Sequence, residues 1–144
     1  MEKPSAKLEC LSMKIESKKV RINASREEVF NYVSDLNNFK DLLPMDKISD
    51  WESRKDFCSF KIQGTATIDL HLEKAESPSS LHLKGGEKAP FPIALDIFFD
   101  EADGLTEVYQ EVVAEVNPFL KMMVQKPLTN LFDFIADRLQ EKFQ

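Results

Sequence analysis

Between about Lys47 and Asn117 apolar residues fall at every second position, and from Asn117 to Leu139 they fall at helical spacing. Alternation sustained that far requires several strands of a sheet with one dry face and one wet face. The helix that follows without a linker is the nearest element able to cover the dry face.

The strands can be assigned by their inward sets. Cys58, Phe60 and Ile62 form one, Ile68, Leu70 and Leu72 a second, and Gly64 marks the turn between them. Leu81 and Leu83 follow an "SPSS" turn, then come Ile93, Leu95, Ile97 and Phe99, and finally Val108, Val112, Ala114 and Val116. In the last hairpin Asp103-Gly104 is the preferred central pair of a type I′ turn. That turn predicts the pairs Phe99–Val108, Ile97–Gln110, Leu95–Val112 and Ile93–Ala114, so inward residues meet inward residues throughout. The opposite face, with Asp69, His71 and Glu73, then His82 and Lys84, then Glu107, Glu111 and Glu115, is expected to be wet.

Asn117 and Pro118 suit the cap and first position of the terminal helix. Leu120, Met123, Val124, Pro127, Leu128, Leu131, Phe134, Ile135 and Leu139 share one side of it, spanning roughly 180° rather than the usual ~100° stripe. Lys121, Lys126, Asp133 and Asp137 lie opposite, which excludes a membrane span, and the balance of acids and bases argues against an interfacial anchor. Pro127 is expected to kink or divide the helix after its second turn. A kinked cover on a curved sheet predicts a cavity beneath it.

Upstream, Met13, Ile15 and Ser17 share one parity and Val20 and Ile22 the other, so a bulge is expected near Ser17–Lys19 in a first strand from about Leu11 to Asn23. "SREEVFNYVSD" has a Ser25/Glu28 capping box and an apolar stripe of Val29, Phe30 and Val33. A second short helix, "LNNFKDLLP", presents Phe39, Leu42 and Leu43 and is stopped by Pro44.

With 144 residues and no repeat or long linker, the chain reads as a single domain over 1–144. A net charge of −6 gives no basic footprint for nucleic acid or an anionic membrane. The "MEKPSAKLEC" start carries charges where a signal peptide would be apolar, and no apolar run approaches the ~20 residues of a membrane span. Cys10 and Cys58 read as two reduced thiols, and the expected location is cytoplasmic.

The stretches "IESKKVRINASREEVFNYVSDLNNFKDLLP", "EKAESPSSLHLKG" and "ADGLTEVYQEVVAEVNPFLKMM" resemble the START/Bet v1-like (SRPBCC) superfamily, within it the polyketide cyclase/dehydrase and lipid-transport group. The resemblance covers nearly all the chain. It implies an α+β helix-grip fold: a curved seven-stranded antiparallel sheet wrapped around a long C-terminal helix, with two short helices after the first strand. Members often carry a tryptophan in the second short helix, where this chain has Phe39; its one tryptophan is Trp51, in the next strand. The matching motifs are structural, so they specify fold and not chemistry.

No catalytic residue, metal ligand set or cofactor is assigned. His71 and His82 alternate onto the wet face and, with Asp69 or Glu73, do not supply the three or four converging ligands of a zinc site. Cys58 points inward without a nearby base, and "KGGEK" lacks the following helix of a phosphate loop. Gln110 is the one polar residue on the dry face. Its amide must meet a backbone group, a buried water, Ser17 of the neighbouring strand or a ligand's polar end.

The expected function is binding of a small hydrophobic molecule (a lipid, isoprenoid or aromatic metabolite) between sheet and terminal helix, for transport or sequestration. The expected lining is Phe60, Leu70, Leu72, Leu83, Leu95, Ile97, Phe99, Gln110 and Val112 from the sheet, with Met123, Pro127 and Leu131 from the helix. Access is expected between the helix and the loops near Gly64, Gly85 and Pro90. Two rivals use the same fold. One is a cyclase/dehydratase-like enzyme working in the cavity, with Gln110 as the residue to test. The other is a ligand-free protein-interaction module, for which outward Phe98 and Tyr109 could seed a patch.

Overall fold

A computed structural model describes residues 11–144. In chain order these form β1 (Leu11–Glu16), β2 (Val20–Ile22), α1 (Arg26–Val33), two 3-10 turns (Leu36–Asp41 and Met45–Lys47), β3 (Ile48–Arg54), β4 (Phe57–Ile62), β5 (Thr67–Glu76), β6 (Ser80–Gly85), β7 (Ile93–Ala102), β8 (Leu105–Val116) and α2 (Pro118–Lys142). The strands make one antiparallel sheet in the order β1-β8-β7-β6-β5-β4-β3, with β2 also on β8. This is the expected α+β helix-grip arrangement. The first strand is divided in two by its bulge, which makes eight strands in seven positions.

That bulge lies where parity placed it. Glu16 faces Glu111 and Val20 faces Val108, so four residue steps on one chain span three on the other. Ser17 closes the gap: its N–H donates to the Gln110 carbonyl at 2.9 Å, and its Oγ accepts the Gln110 N–H at 3.0 Å. The final hairpin has the register its turn dictates, Phe99 with Val108 through Ile93 with Ala114. Asp103 and Gly104 both take positive φ, 53° and 81°, as a type I′ turn requires.

Ser25 caps α1 by accepting the Glu28 N–H at 3.2 Å, and Val29, Phe30 and Val33 turn into the core, where Phe30 meets Phe99 edge-on. Phe39, Leu42 and Leu43 are buried beside them. Asn117 caps α2 through the Leu120 N–H at 2.8 Å. Val124, Leu128, Leu131, Phe132, Ile135 and Leu139 face inward, and α2 packs against β1, β2 and β8.

Three expectations need correction. Pro127 does not divide α2, which runs unbroken from Pro118 to Lys142. Burial of Val124, Leu128 and Leu131 around it holds the helix together despite the missing N–H. Asp69 is not on a wet surface: it is 3 % exposed, because the 85–90 loop folds over the outer face there. Lastly, β5 carries a second bulge. Leu72 faces Leu83 but Lys74 faces His82, so Glu73 is the extra residue and the strand's parity inverts beyond it. Lys74 and Glu76 thereby join His82 and Ser80 on the outer face.

Candidate functional site

A cleft of about 470 Å³ lies between the middle of α2 and one end of the sheet. Its apolar wall is Pro44, Ile48, Ile62, Pro127, Leu131 and Phe134. Asp46, Lys47, Gln63, Thr65, Lys126 and Asn130 provide its polar lining. The loop side is fixed by its own backbone. The Gln63 N–H donates to the Lys47 carbonyl, Lys47 to Pro44 and Thr65 to Ile62, all at 2.8–2.9 Å, while Gly64 takes φ 74° to make the turn. On the helix side Pro127 offers no N–H to the Met123 carbonyl and projects its ring over the cleft's edge.

Of the twelve expected lining residues, Pro127 and Leu131 line this cleft. Phe60, Leu70, Leu83, Leu95, Ile97, Phe99, Gln110 and Val112 sit behind it in the core, none more than 2 % exposed. Met123 is 48 % exposed, one helical turn before Pro127. Leu72, at the β5 bulge, lines a separate groove with Phe30, Arg54 and Ala75. Of the three expected access loops, the one at Gly64 borders the cleft, whereas Gly85 and Pro90 border another groove with Phe91 and Val113. Pro44, Ile48, Ile62 and Phe134 were not among the lining residues expected from sequence. Ile62 and Phe134 belonged to the right apolar faces, but only chain closure shows which end of each face meets the other.

The Gln110 side-chain amide has one of the partners expected for it, a backbone carbonyl, while Ser17 meets its backbone and not its side chain. Its Nε2 donates to the Phe132 carbonyl of α2 at 2.9 Å. Its Oε1 is buried and accepts no hydrogen bond. Cys58 is fully buried, and burial, followed by the nearby Asp69 charge, pushes its thiol up to about 12. No nucleophile is available there.

On the outer face Asp69 Oδ1 accepts the N–H groups of Gly86 and Ala89, each at 3.1 Å, while Oδ2 lies 3.1 Å from His71 Nε2. Burial alone would raise this carboxyl, but the hydrogen bonds from His71 and the loop backbone outweigh it, and the net direction is down. A Cβ on Gly86 would run into the side-chain ends of Asp69 and His71, which would have to shift to admit it. Phe98 and Tyr109 stack on each other at 5.0 Å, with Lys19 Nζ 5.0 Å from the Tyr109 ring. They are cross-strand packing partners. Among the described residues no three His, Cys, Asp or Glu side chains converge to hold a metal, and no helix is long and apolar enough to cross a membrane.

No protein-family model matches the sequence. No curated protein matches it either. Solved structures do match in shape. Norcoclaurine synthase from Thalictrum flavum, in complex with dopamine and hydroxybenzaldehyde, aligns at TM-score 0.69 with 14 % identity, over 93 % of this chain and 87 % of that one. A START superfamily protein from Mycobacterium smegmatis aligns at 0.64 with 14 % identity, over 94 % and 97 %. An uncharacterised protein from Bacillus thuringiensis aligns at 0.65 with 16 % identity, over 92 % and 98 %. With nearly complete coverage in both directions, and with the sheet order and helix placement described above, the chain has the START/Bet v1-like (SRPBCC) helix-grip fold.

Proposed function

We propose that this protein binds a small hydrophobic molecule between α2 and the sheet, as a cytoplasmic carrier or sequestering protein rather than an enzyme. The observation that carries this reading is the cleft beside Pro127, apolar along one wall and polar at its rim. Its volume falls within the roughly 300–1,000 Å³ of small-molecule sites. A lipid, isoprenoid or aromatic metabolite fits such a lining. The core set behind the cleft, Phe60, Leu70, Leu83, Leu95, Ile97, Phe99 and Val112, would line a deeper position reached by a shift of α2. Met123 and Leu72 would then mark the two ends of that path.

Burying about 300 Å² of apolar ligand surface gives ~7 kcal/mol gross. The cost of association consumes part of it, so affinity on the order of micromolar is expected. The test is mass spectrometry of organic extracts of purified protein, alongside titration with an apolar fluorescent probe. Asn130→Trp, which fills the mouth from its exposed rim, should weaken probe binding at least tenfold. A protein that carries no stoichiometric small molecule and binds no apolar probe overturns the proposal.

The unpaired Gln110 Oε1 favours a second reading, in which a cyclase- or dehydratase-like reaction occurs beside that amide. A buried acceptor without a donor costs about 1–3 kcal/mol, and a substrate hydroxyl would satisfy it. Full turnover of a substrate by Gln110→Leu removes this reading. The structural neighbour with dopamine and hydroxybenzaldehyde shows that the fold accommodates aromatic molecules in another protein.

A further inference from the structure

A group of polar side chains converges on the face of the sheet opposite α2, where β5, β6 and β7 run side by side. The bulge at Glu73 turns Glu76 onto this face, where it pairs across the hairpin with Ser80. His82 lies two residues further along β6, directly opposite Asp96 of β7. His82 Nδ1 is 2.7 Å from Asp96 Oδ1. In the neutral tautomer that donates Nδ1–H to this carboxylate, Nε2 keeps its lone pair. Nε2 lies 3.1 Å from Ser80 Oγ and 3.7 Å from Glu76 Oε1, and Ser80 Oγ lies 3.1 Å from Glu76 Oε1.

Three acceptor atoms therefore meet with one hydroxyl proton among them, and that proton can serve only one contact. A cation placed between them serves all three. Around a tetrahedral zinc-class ion with bonds of about 2.0–2.2 Å, donor atoms stand about 3.4 Å apart. The edges of this triangle, 3.1, 3.1 and 3.7 Å, bracket that spacing.

We propose that Glu76 Oε1, Ser80 Oγ and His82 Nε2 form a binding site for a divalent cation of the zinc class, with Asp96 orienting His82 from behind. An imidazole with one carboxylate suits zinc, cobalt or nickel better than magnesium or calcium. The carboxylate on the far ring nitrogen is the usual support of a metal-binding histidine. Lys74 Nζ holds Glu76 Oε2 at 3.0 Å, which directs Oε1 into the site while its charge moderates affinity. Glu76 and His82 remain partly open to solvent, at 51 % and 29 % side-chain exposure, so an ion can reach them. Three protein donors leave a coordination position for water.

The experiment is calorimetric titration of chelator-treated full-length protein with zinc, repeated with cobalt for its absorption spectrum. One saturable equivalent is expected. His82→Ala, with His82→Gln as a second variant should the first fail to fold, should abolish uptake. Glu76→Gln should weaken it at least tenfold, and Asp96→Asn roughly 10- to 100-fold. His71→Ala and Cys10→Ser should leave it unchanged. In nitrogen NMR of the histidines, zinc should shift His82 Nε2 while Nδ1 keeps its proton. Absence of saturable uptake, or uptake lost with His71 or Cys10 instead of His82, overturns the proposal.

Discussion

Asp69 is a carboxylate whose environment inverts what its position along the strand suggests. Alternation directs it outward, yet the 85–90 loop covers it and supplies backbone donors. Because its folded-state pKa lies below the ordinary 3.8, the unfolded chain takes up the proton first as pH falls. Its contribution to stability is therefore complete above that ordinary value and is lost as pH drops through the lower folded value. Asp69→Asn should destabilise the protein by about 1–3 kcal/mol at neutral pH. It should also flatten the pH dependence of stability below pH 3.8, measured by urea unfolding at a series of pH values. Cys58 makes the complementary case. Its neighbours keep it a neutral thiol, so iodoacetamide at pH 8 should modify it only after denaturant is added, as read by mass spectrometry of the peptide containing Cys58.

Among the elements, the β7–β8 hairpin and α2 differ in how far local chemistry decides them. The hairpin follows from two residues in its turn. Gly104→Ala places a Cβ at φ 81° and should cost about 1 kcal/mol in thermal unfolding without shifting the register. In α2 local chemistry loses to packing, since Pro127 breaks the hydrogen-bond ladder yet the helix continues. Thr129 adds a side-chain bond from Oγ1 to the Gln125 carbonyl at 2.7 Å, a contact that bends helices slightly. Pro127→Ala restores a donor for Met123 and should raise stability by about 1–3 kcal/mol. It also removes part of the cleft's wall, so apolar-probe binding should weaken as the melting temperature rises. The acidic edge of α2 has a structural role that its wheel position did not suggest. Asp133 accepts the Lys18 N–H at 3.0 Å and Asp137 lies 2.9 Å from Lys18 Nζ, so the helix grips the first bulge.

At the scale of the molecule, the sheet brings its first and last strands together, with β1 and β2 lying on β8, which leads directly into α2. The sheet has a covered face that leads to the cleft and an outer face bearing the Glu76–His82–Asp96 group. A ligand bound only by the folded state should stabilise it by about 2.7 kcal/mol at a hundredfold excess over Kd. For a domain of this size that is on the order of 10 °C in Tm, measurable by differential scanning calorimetry with and without an apolar probe. Zinc should add to that shift without displacing the probe, because the two sites lie on opposite faces of the sheet.

Sequence by itself determined the strands, the hairpin register, the first bulge, the caps of α1 and α2 and the inward set. Each of these is settled by neighbours a few residues apart, through period, turn chemistry or capping. The cleft itself was not legible: the sequence pointed to an internal cavity with a different lining, of which only Pro127 and Leu131 border the cleft. Its lining joins Pro44, Ile62 and Phe134, and no local rule says which end of a strand a distant helix will approach. The β5 bulge was illegible for a related reason. "HLEKAE" keeps no clean apolar alternation beyond Leu72, so parity carried no signal at the position where the strand was re-phased. That re-phasing moved Glu76 beside His82, and the loop over Asp69 buried a charge. Both depend on how β5 pairs with β6 and on where the loop after β6 returns, and the assembled sheet decides them.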